Sequence, residues 1–292
     1  MHFTGTVYRN PYWPTETLIE VTQGFTHNSC KFCTMYKDVP FRMSPIEWIE
    51  EDLKEISTFY PNAEHIQLVG ANPLCMKFEY LDRILDLVNK YLPKMKFIYT
   101  QGRVTDLKNK TIEQLKILKE KRMKEISLGI ESGDDWTLDR INKGYHAEDI
   151  IKECHKLEEA GINYWMTFLN GVAGKEHSHE HAVNSAKIFN QCKPYLVGTG
   201  GLTLFPGTPL LEEAKKGEFN PLTEKEMLIE LRTFIENLEV NSYFITHHTI
   251  STNLSGPNFQ ENKELILAKL NDEINNIDEE KLSRYRKIKR TL

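Results

Sequence analysis

Thr22-Gln-Gly-Phe25-Thr-His27-Asn-Ser-Cys30-Lys-Phe32-Cys33-Thr-Met-Tyr36 is the stretch from which the fold can be read. It follows an apolar segment, Thr17 to Val21, with the character of a strand, and it carries two cysteines three positions apart in a loop. Thiolates at that spacing can converge on one metal, and sulfur donors suit zinc or an iron–sulfur cluster. Two thiolates are half a site, so other ligands must be sought. His27 gives His-x-x-Cys-x-x-Cys, which also reads as part of a zinc site. Cys75 lies just past the second strand end and is a further candidate.

Outward from this loop the chain alternates strand and helix. Ser44-Pro45-Ile46-Glu47 reads as a helix start, with Ile46, Ile49, Leu53 and Ile56 at helical spacing to about Thr58. His65 to Val69 reads as a strand, and Phe78 to Tyr91 as a helix with Leu81, Ile84, Leu85 and Val88 on one face. The alternation repeats through strands 97–100, 125–130 and 163–169 and helices 111–119, 147–160 and 179–190. A sixth strand, Leu196 to Leu204, closes the series. Six strand-then-helix units predict an α/β fold: a parallel, open partial (β/α)6 barrel of TIM type. Thr223 with Glu226 three positions on predicts a capped helix to Asn237. Val240 to Ile245 then reads as a strand, and 261–274 and 278–289 as helices. The expected domains are the barrel over 1–215 and a small, mainly helical α/β cap over 216–292, with Met1 to Pro14 as a lead-in.

At 292 residues, with 40% hydrophobic and 27% charged side chains, the chain can bury a full core. Its apolar runs are strand-sized and no signal-peptide pattern opens it, so a cytoplasmic protein without membrane insertion is expected. A net charge of −5 supplies no overall basic field for nucleic acid. The basic end, Arg284 to Arg290, reads as a solvated helix face. Cys154 and Cys192 read as small buried apolar residues. His177, His179 and His181 open a helix, where i and i+2 point apart, so they are not expected to share a metal. His247 and His248 are neighbours on an extended chain, and at most one can face a pocket.

In parallel β/α folds ligands gather at the carboxyl ends of strands. The second strand ends in Gly70-Ala71-Asn72-Pro73, the fourth in Gly129-Ile130-Glu131-Ser132-Gly133 with Lys143 downstream, and the sixth in Phe205-Pro206-Gly207-Thr208-Pro209. With the cysteine loop, these segments resemble the radical S-adenosylmethionine (radical SAM) enzymes, over about Thr17 to Phe219 and on toward Asn253. The resemblance implies a [4Fe–4S] cluster on loop cysteines, Cys30 and Cys33 here, with Phe32 directly before the last. It implies SAM held by Gly70, Ala71, Asn72, Glu131, Ser132 and Lys143, with the apolar flank of Pro206 walling the adenine. In the family branch it resembles, with an Elp3- and coproporphyrinogen-oxidase-like core, the first cluster cysteine falls at position 25. Here that residue is phenylalanine, and Asn72 stands where an acid often follows two glycines. The expected activity is reductive SAM cleavage that starts radical chemistry, fed by a flavodoxin- or ferredoxin-type donor. The alternative is a catalytically impaired or non-catalytic member that keeps the fold and a SAM or nucleoside pocket.

Overall fold

The computed structural model describes residues 1–9, 17–246 and 255–288. The part of the lead-in beyond residue 9, His247, His248, Asn253 and the last residues of the basic end lie outside the described residues. The chain divides into two compact units: 1–28 with 35–129 and 152–164, and 29–34 with 130–151 and 165–292.

In the first unit, β1 (Thr17–Glu20), β2 (His65–Val69), β3 (Phe97–Gly102) and most of β4 (Met123–Glu131) pair in parallel in that order. Four of the five β2 residues are buried, as expected of a parallel strand covered on both faces. Helices α1 (Ile46–Phe59), α2 (Phe78–Tyr91) and α3 (Ile112–Glu120) accompany these strands. The buried face of α2 is Leu81, Ile84, Leu85 and Val88, the face its periodicity predicts. Each such side chain contributes roughly 2 kcal/mol relative to an exposed one. The buried face of α1 adds Asp52 to the predicted residues. Its carboxylate accepts from the His2 backbone N–H at 3.0 Å and sits 2.7 Å from His2 Nδ1, which anchors the lead-in on that helix. The sequence Ser44-Pro45-Ile46-Glu47 reads as a cap followed by proline at the first helical position, whereas in the structure Pro45 occupies the cap of α1 and Ser44 donates its N–H to the Val21 carbonyl at 3.0 Å.

The second unit holds the end of β4, α4 (Asp135–Arg140), β5 (Asn163–Asn170) from Trp165 on, α6 (Ser178–Phe189), β6 (Leu196–Gly201), α7 (Pro209–Lys215) and α8 (Glu224–Asn237). Helix α5 (Ala147–Ala160) contributes to both units. Thr223 and Glu226 form the predicted reciprocal cap of α8. β6 is shorter than predicted, since residues 202–204 leave the ladder after Gly201. The segment expected as a separate strand in the cap, β7 (Tyr243–Thr246), instead pairs in parallel with β6 and makes a seventh parallel strand. The two-residue β8 (Ser255–Gly256) returns antiparallel to β7, and α9 (Phe259–Asn276) and α10 (Glu279–Ile288) follow. Among the described residues no helix is long and apolar enough to cross a membrane.

Candidate functional site

In the second unit the cysteine loop is pinned at Lys31. Its N–H donates to the Ile141 carbonyl and its own carbonyl accepts from Leu210 N–H, both at 3.0 Å. Lys31 Nζ lies 2.9 Å from one Glu213 oxygen, and Arg140 pairs with the other. Burial lifts the Glu213 pKa, but Lys31 and Arg140 outweigh it and leave the carboxyl below its ordinary value. So fixed, the loop turns Cys30 and Phe32 into an apolar cluster with Ile141, Leu169, Leu202 and Leu210, and Cys33 and Leu204 pack against it.

Glu131 ends β4 in the left-handed region, at φ 67°. Such a conformation in a non-glycine residue stores strain and recurs at functional sites. Its carboxylate is held on two sides. Lys143 Nζ donates to Oε1 at 3.2 Å, and the Thr167 hydroxyl donates to Oε2 at 2.9 Å while accepting from Ile130 N–H at 3.0 Å. Lys143 is 5% exposed at its side chain, and its ammonium stands 5.9 Å from the ring centres of both Phe32 and Tyr145. Tyr145 in turn donates to the Ile130 carbonyl at 3.3 Å. Of the sequence-predicted residues, this unit therefore brings Phe32, Lys143 and Glu131 together, with Cys30 and Cys33 in the cluster that contains Phe32.

Ser132 takes a different part. It is fully buried, and its hydroxyl accepts from Asp134 N–H at 3.0 Å, which serves the turn into α4. Asp134 caps that helix through Thr137 and also meets Asn184 at 2.7 Å and His177 at 3.0 Å. His177 thus faces Asp134, whereas His181 is buried against Glu230 at 3.0 Å. Pro206 is exposed, and Thr208 closes its turn by donating to the Phe205 carbonyl at 2.7 Å and capping α7. Sequence reading missed Thr167 and Tyr145. Only the position of Thr167 opposite the end of β4 marks it out, and that requires the strand register.

In the first unit Gly70 has φ 122°, and a Cβ there would lie within 2.1 Å of the Thr22 carbonyl oxygen. The close approach of the chain at Thr22 already requires glycine at this position. Ala71 is half-buried, and its carbonyl and that of Gly70 face Gln101 Nε2. Asn72 is fully buried, with Nδ2 donating to Thr26 Oγ1 at 2.7 Å and Asp106 Oδ2 at 3.0 Å. Burial raises the Asp106 pKa, although Arg103 N–H and Asn72 favour the anion. Lys110 Nζ donates to the carbonyls of Leu74, Met76 and Asp106 at 2.6, 2.9 and 3.0 Å. Its pKa is pushed down to about 8, first by burial. Cys75 is pushed up to about 12, by burial and then by the Asp106 charge, so its thiol resists the ionisation a metal ligand needs. Phe25 and His27 are half-buried.

The donor set for a cluster is therefore short. The loop presents two thiols, phenylalanine at position 25 offers no ligand, and among the described residues no three His, Cys, Asp or Glu side chains converge. With two thiols in the loop and phenylalanine at position 25, the loop does not by itself supply the three protein thiolates of a [4Fe–4S] cluster.

A parallel β/α fold with a cysteine loop after its first strand and a Lys–Glu pair at its fourth strand end places the chain among the α/β proteins whose strand carboxyl ends carry the candidate site. The radical SAM superfamily profile matches residues 20–189, more than half of the chain, and the chain belongs to that superfamily. The heme chaperone HemW of Bacillus subtilis (strain 168) is 23% identical over 170 residues, 56% of this chain and 45% of that protein. Among solved structures, coproporphyrinogen III oxidase HemN from Escherichia coli superposes with a TM-score of 0.58 at 13% identity, covering 76% of this chain and 51% of that one. The Methanocaldococcus infernus Elp3 superposes at 0.51 and 16% identity, over 78% and 59%. These likenesses show the fold, an α/β partial TIM-type barrel with a small helical C-terminal region. The chain spans about half the length of such relatives.

Proposed function

We propose that this chain is a radical SAM family protein that binds SAM or a closely related nucleoside and that, with Phe25 in place of a thiolate, does not cleave it reductively. The observation that carries the reading is the Lys143–Glu131–Thr167 constellation beside Phe32. A buried ammonium, held by one carboxylate and standing over two aromatic rings, is a fixed point charge suited to a ligand carboxylate. Glu131, strained and oriented by Thr167, is suited to hydroxyl or amine donors on the same ligand. By the family resemblance, Gly70, Ala71 and Asn72 of the first unit are proposed as cofactor-binding residues, and Pro206 of the second unit as a residue for the adenine. Ser132 and Asn72 act as positioning residues, because their polar atoms already serve the protein. Barrel and cap are taken as 1–215 and 216–292, and the protein as cytoplasmic.

The enzyme reading has its own support. The pinned cysteine loop keeps Cys30, Phe32 and Cys33 in one cluster, and radical SAM proteins use an iron–sulfur cluster and a flavodoxin- or ferredoxin-type donor. Two measurements separate the readings. Calorimetric titration with SAM should show binding to the protein as it stands, weakened at least tenfold in Lys143→Met. Anaerobic iron and sulfide treatment with a reductant should yield no 5′-deoxyadenosine. Production of 5′-deoxyadenosine establishes the enzyme reading, and absence of SAM binding defeats both.

A further inference from the structure

The second unit contains a cavity of about 680 Å³ at the carboxyl ends of β5 and β6. Its floor and walls are Leu202, Leu204, Leu211, Leu222 and Met227, and helix α10 covers one side. Leu202 and Leu204 also pack in the cluster with the loop cysteines. The charged side chains that line the cavity are Glu224, Glu279, Glu280, Arg284 and Arg286. Apart from Glu224 they all belong to α10. Among the described residues, the lining outside α10 is thus mostly apolar, with Thr203 and Thr223 beside one carboxylate, that of Glu224.

That carboxylate is occupied by the chain itself. Arg286 Nε and Nη2 donate to the two oxygens of Glu224 at 2.6 and 2.9 Å, and Nη1 donates to the Leu202 carbonyl at 2.9 Å. The side chains of Arg286 and Glu224 are 14% and 4% exposed. The room for the guanidinium comes from Gly201, where a Cβ would stand 3.0 and 3.1 Å from its two terminal nitrogens. A planar fork on a carboxylate, with a carbonyl taking a third N–H and a glycine clearing its approach, is a cation site. It differs from the solvated face expected of the basic end. Arg284 does stay in solvent, pairing with Glu280 across an i,i+4 step.

We propose that Glu224, the Leu202 carbonyl and Gly201 form a subsite for the guanidinium or ammonium head of a small organic cation with an apolar body, and that Arg286 fills it as an intrachain stand-in. A ligand ammonium or guanidinium that replaces Arg286 leaves Glu224 paired and the Leu202 carbonyl satisfied. Arg286, on a C-terminal helix rich in charge, passes to water with its charge solvated. A ligand anion would instead strand Glu224 beside Glu279, whose carboxylate already caps α8 through the N–H groups of Glu224 and Lys225 at 2.6 and 3.0 Å. The chamber is of the size that takes a drug-sized molecule. This inference is independent of SAM binding and needs no cluster.

The test uses the full chain and n-hexylguanidinium as probe, with n-hexanol and hexanoate as controls, read by calorimetry and by the shift in Tm. Removing the stand-in with Arg286→Ala should tighten n-hexylguanidinium binding at least tenfold over the unaltered protein and leave the controls weak. Glu224→Gln in that background should abolish the gain. Should Arg286→Ala not fold, Arg286→Met keeps most of the stem and carries the same comparison, with Gly201→Ala added to remove the room for the head group. Equal probe affinity with and without Arg286, or binding of hexanol or hexanoate as tight as that of the guanidinium, overturns the proposal.

Discussion

Replacing Lys143 by methionine keeps the length of the side chain and removes its charge. At 3.2 Å, and with the effective dielectric of about 20 that reproduces measured protein pairs, the Lys143–Glu131 attraction is about 5 kcal/mol before desolvation. Lys143 is almost wholly buried and Glu131 is 18% exposed at its side chain, so the cost of removing both charges from water offsets roughly half of that. The variant also leaves the Glu131 carboxylate with the Thr167 hydroxyl as its remaining held contact on that side, in a left-handed backbone that has no strain relief to offer. The expected loss is therefore about 2–3 kcal/mol in Lys143→Met and about 1–2 kcal/mol in Glu131→Gln, with a coupling of about 1–2 kcal/mol in the double variant. Urea denaturation followed by circular dichroism measures all three, and the SAM titration runs on the same samples. Single variants within about 0.5 kcal/mol of the parent and additive would refute the account of the pair. A full stability loss with unchanged SAM affinity would leave the pair structural and remove it from the proposed ligand site.

Phe25→Cys, treated anaerobically with iron and sulfide, should raise iron to about four per chain and bring SAM cleavage with it. Iron equal to that of the parent would show that more than one ligand of the site has been lost. The folded pKa of Lys110, about 8, lies below the ordinary 10.5, so between those values the unfolded chain binds more protons and stability rises with pH. The rise should reach about 3 kcal/mol between pH 7.5 and 10.5 and be absent in Lys110→Met; equal slopes in urea midpoints across that window count against it. Burial lifts the Asp134 pKa, but its bonds to Asn184, Thr137 and His177 outweigh this and hold it below 3.8. Its contribution is therefore present above about pH 4 and lost as pH falls through the lower folded value. Asp134→Asn should cost about 2 kcal/mol at pH 7, with the gap to the parent closing as pH falls through the lowered folded value.

The parts of the molecule that were legible in the sequence are those fixed by neighbours a few residues away. The apolar face of α2 follows from a 3.6-residue period, and the cap of α8 from Thr223 and Glu226. Strand order follows because each β/α unit places the next strand beside the last. The seventh strand reads as a strand from Val240 to Ile245, but its place in the parallel sheet does not, because it follows two helices with no β/α rhythm and only the pairing of Tyr243–Thr246 with Leu196 to Thr199 gives it one. The hydroxyl of Thr167 could not be distinguished from that of any β-branched strand residue until β4 and β5 were set side by side. Arg286 looked like one basic residue in a basic helix, because its partner Glu224 lies 62 positions away and its space depends on a glycine in another strand.

The same distinction bears on how a cysteine loop can keep its shape without a metal. A zinc finger folds around its metal and fails without it, since the metal supplies most of the order in so small a unit. The loop from Ser29 to Thr34 draws its order from elsewhere. Lys31 is bonded through both backbone groups to Ile141 and Leu210, its ammonium is paired with Glu213, and Asn142 Nδ2 donates to the Ser29 carbonyl at 3.1 Å. Cys30 and Phe32 are buried among leucines and isoleucine, which stabilises their positions whether or not the thiols ligate anything. None of these contacts uses residue 25. Phenylalanine at position 25 therefore supplies no donor, and the scaffold that holds the two thiols stands without one from that position.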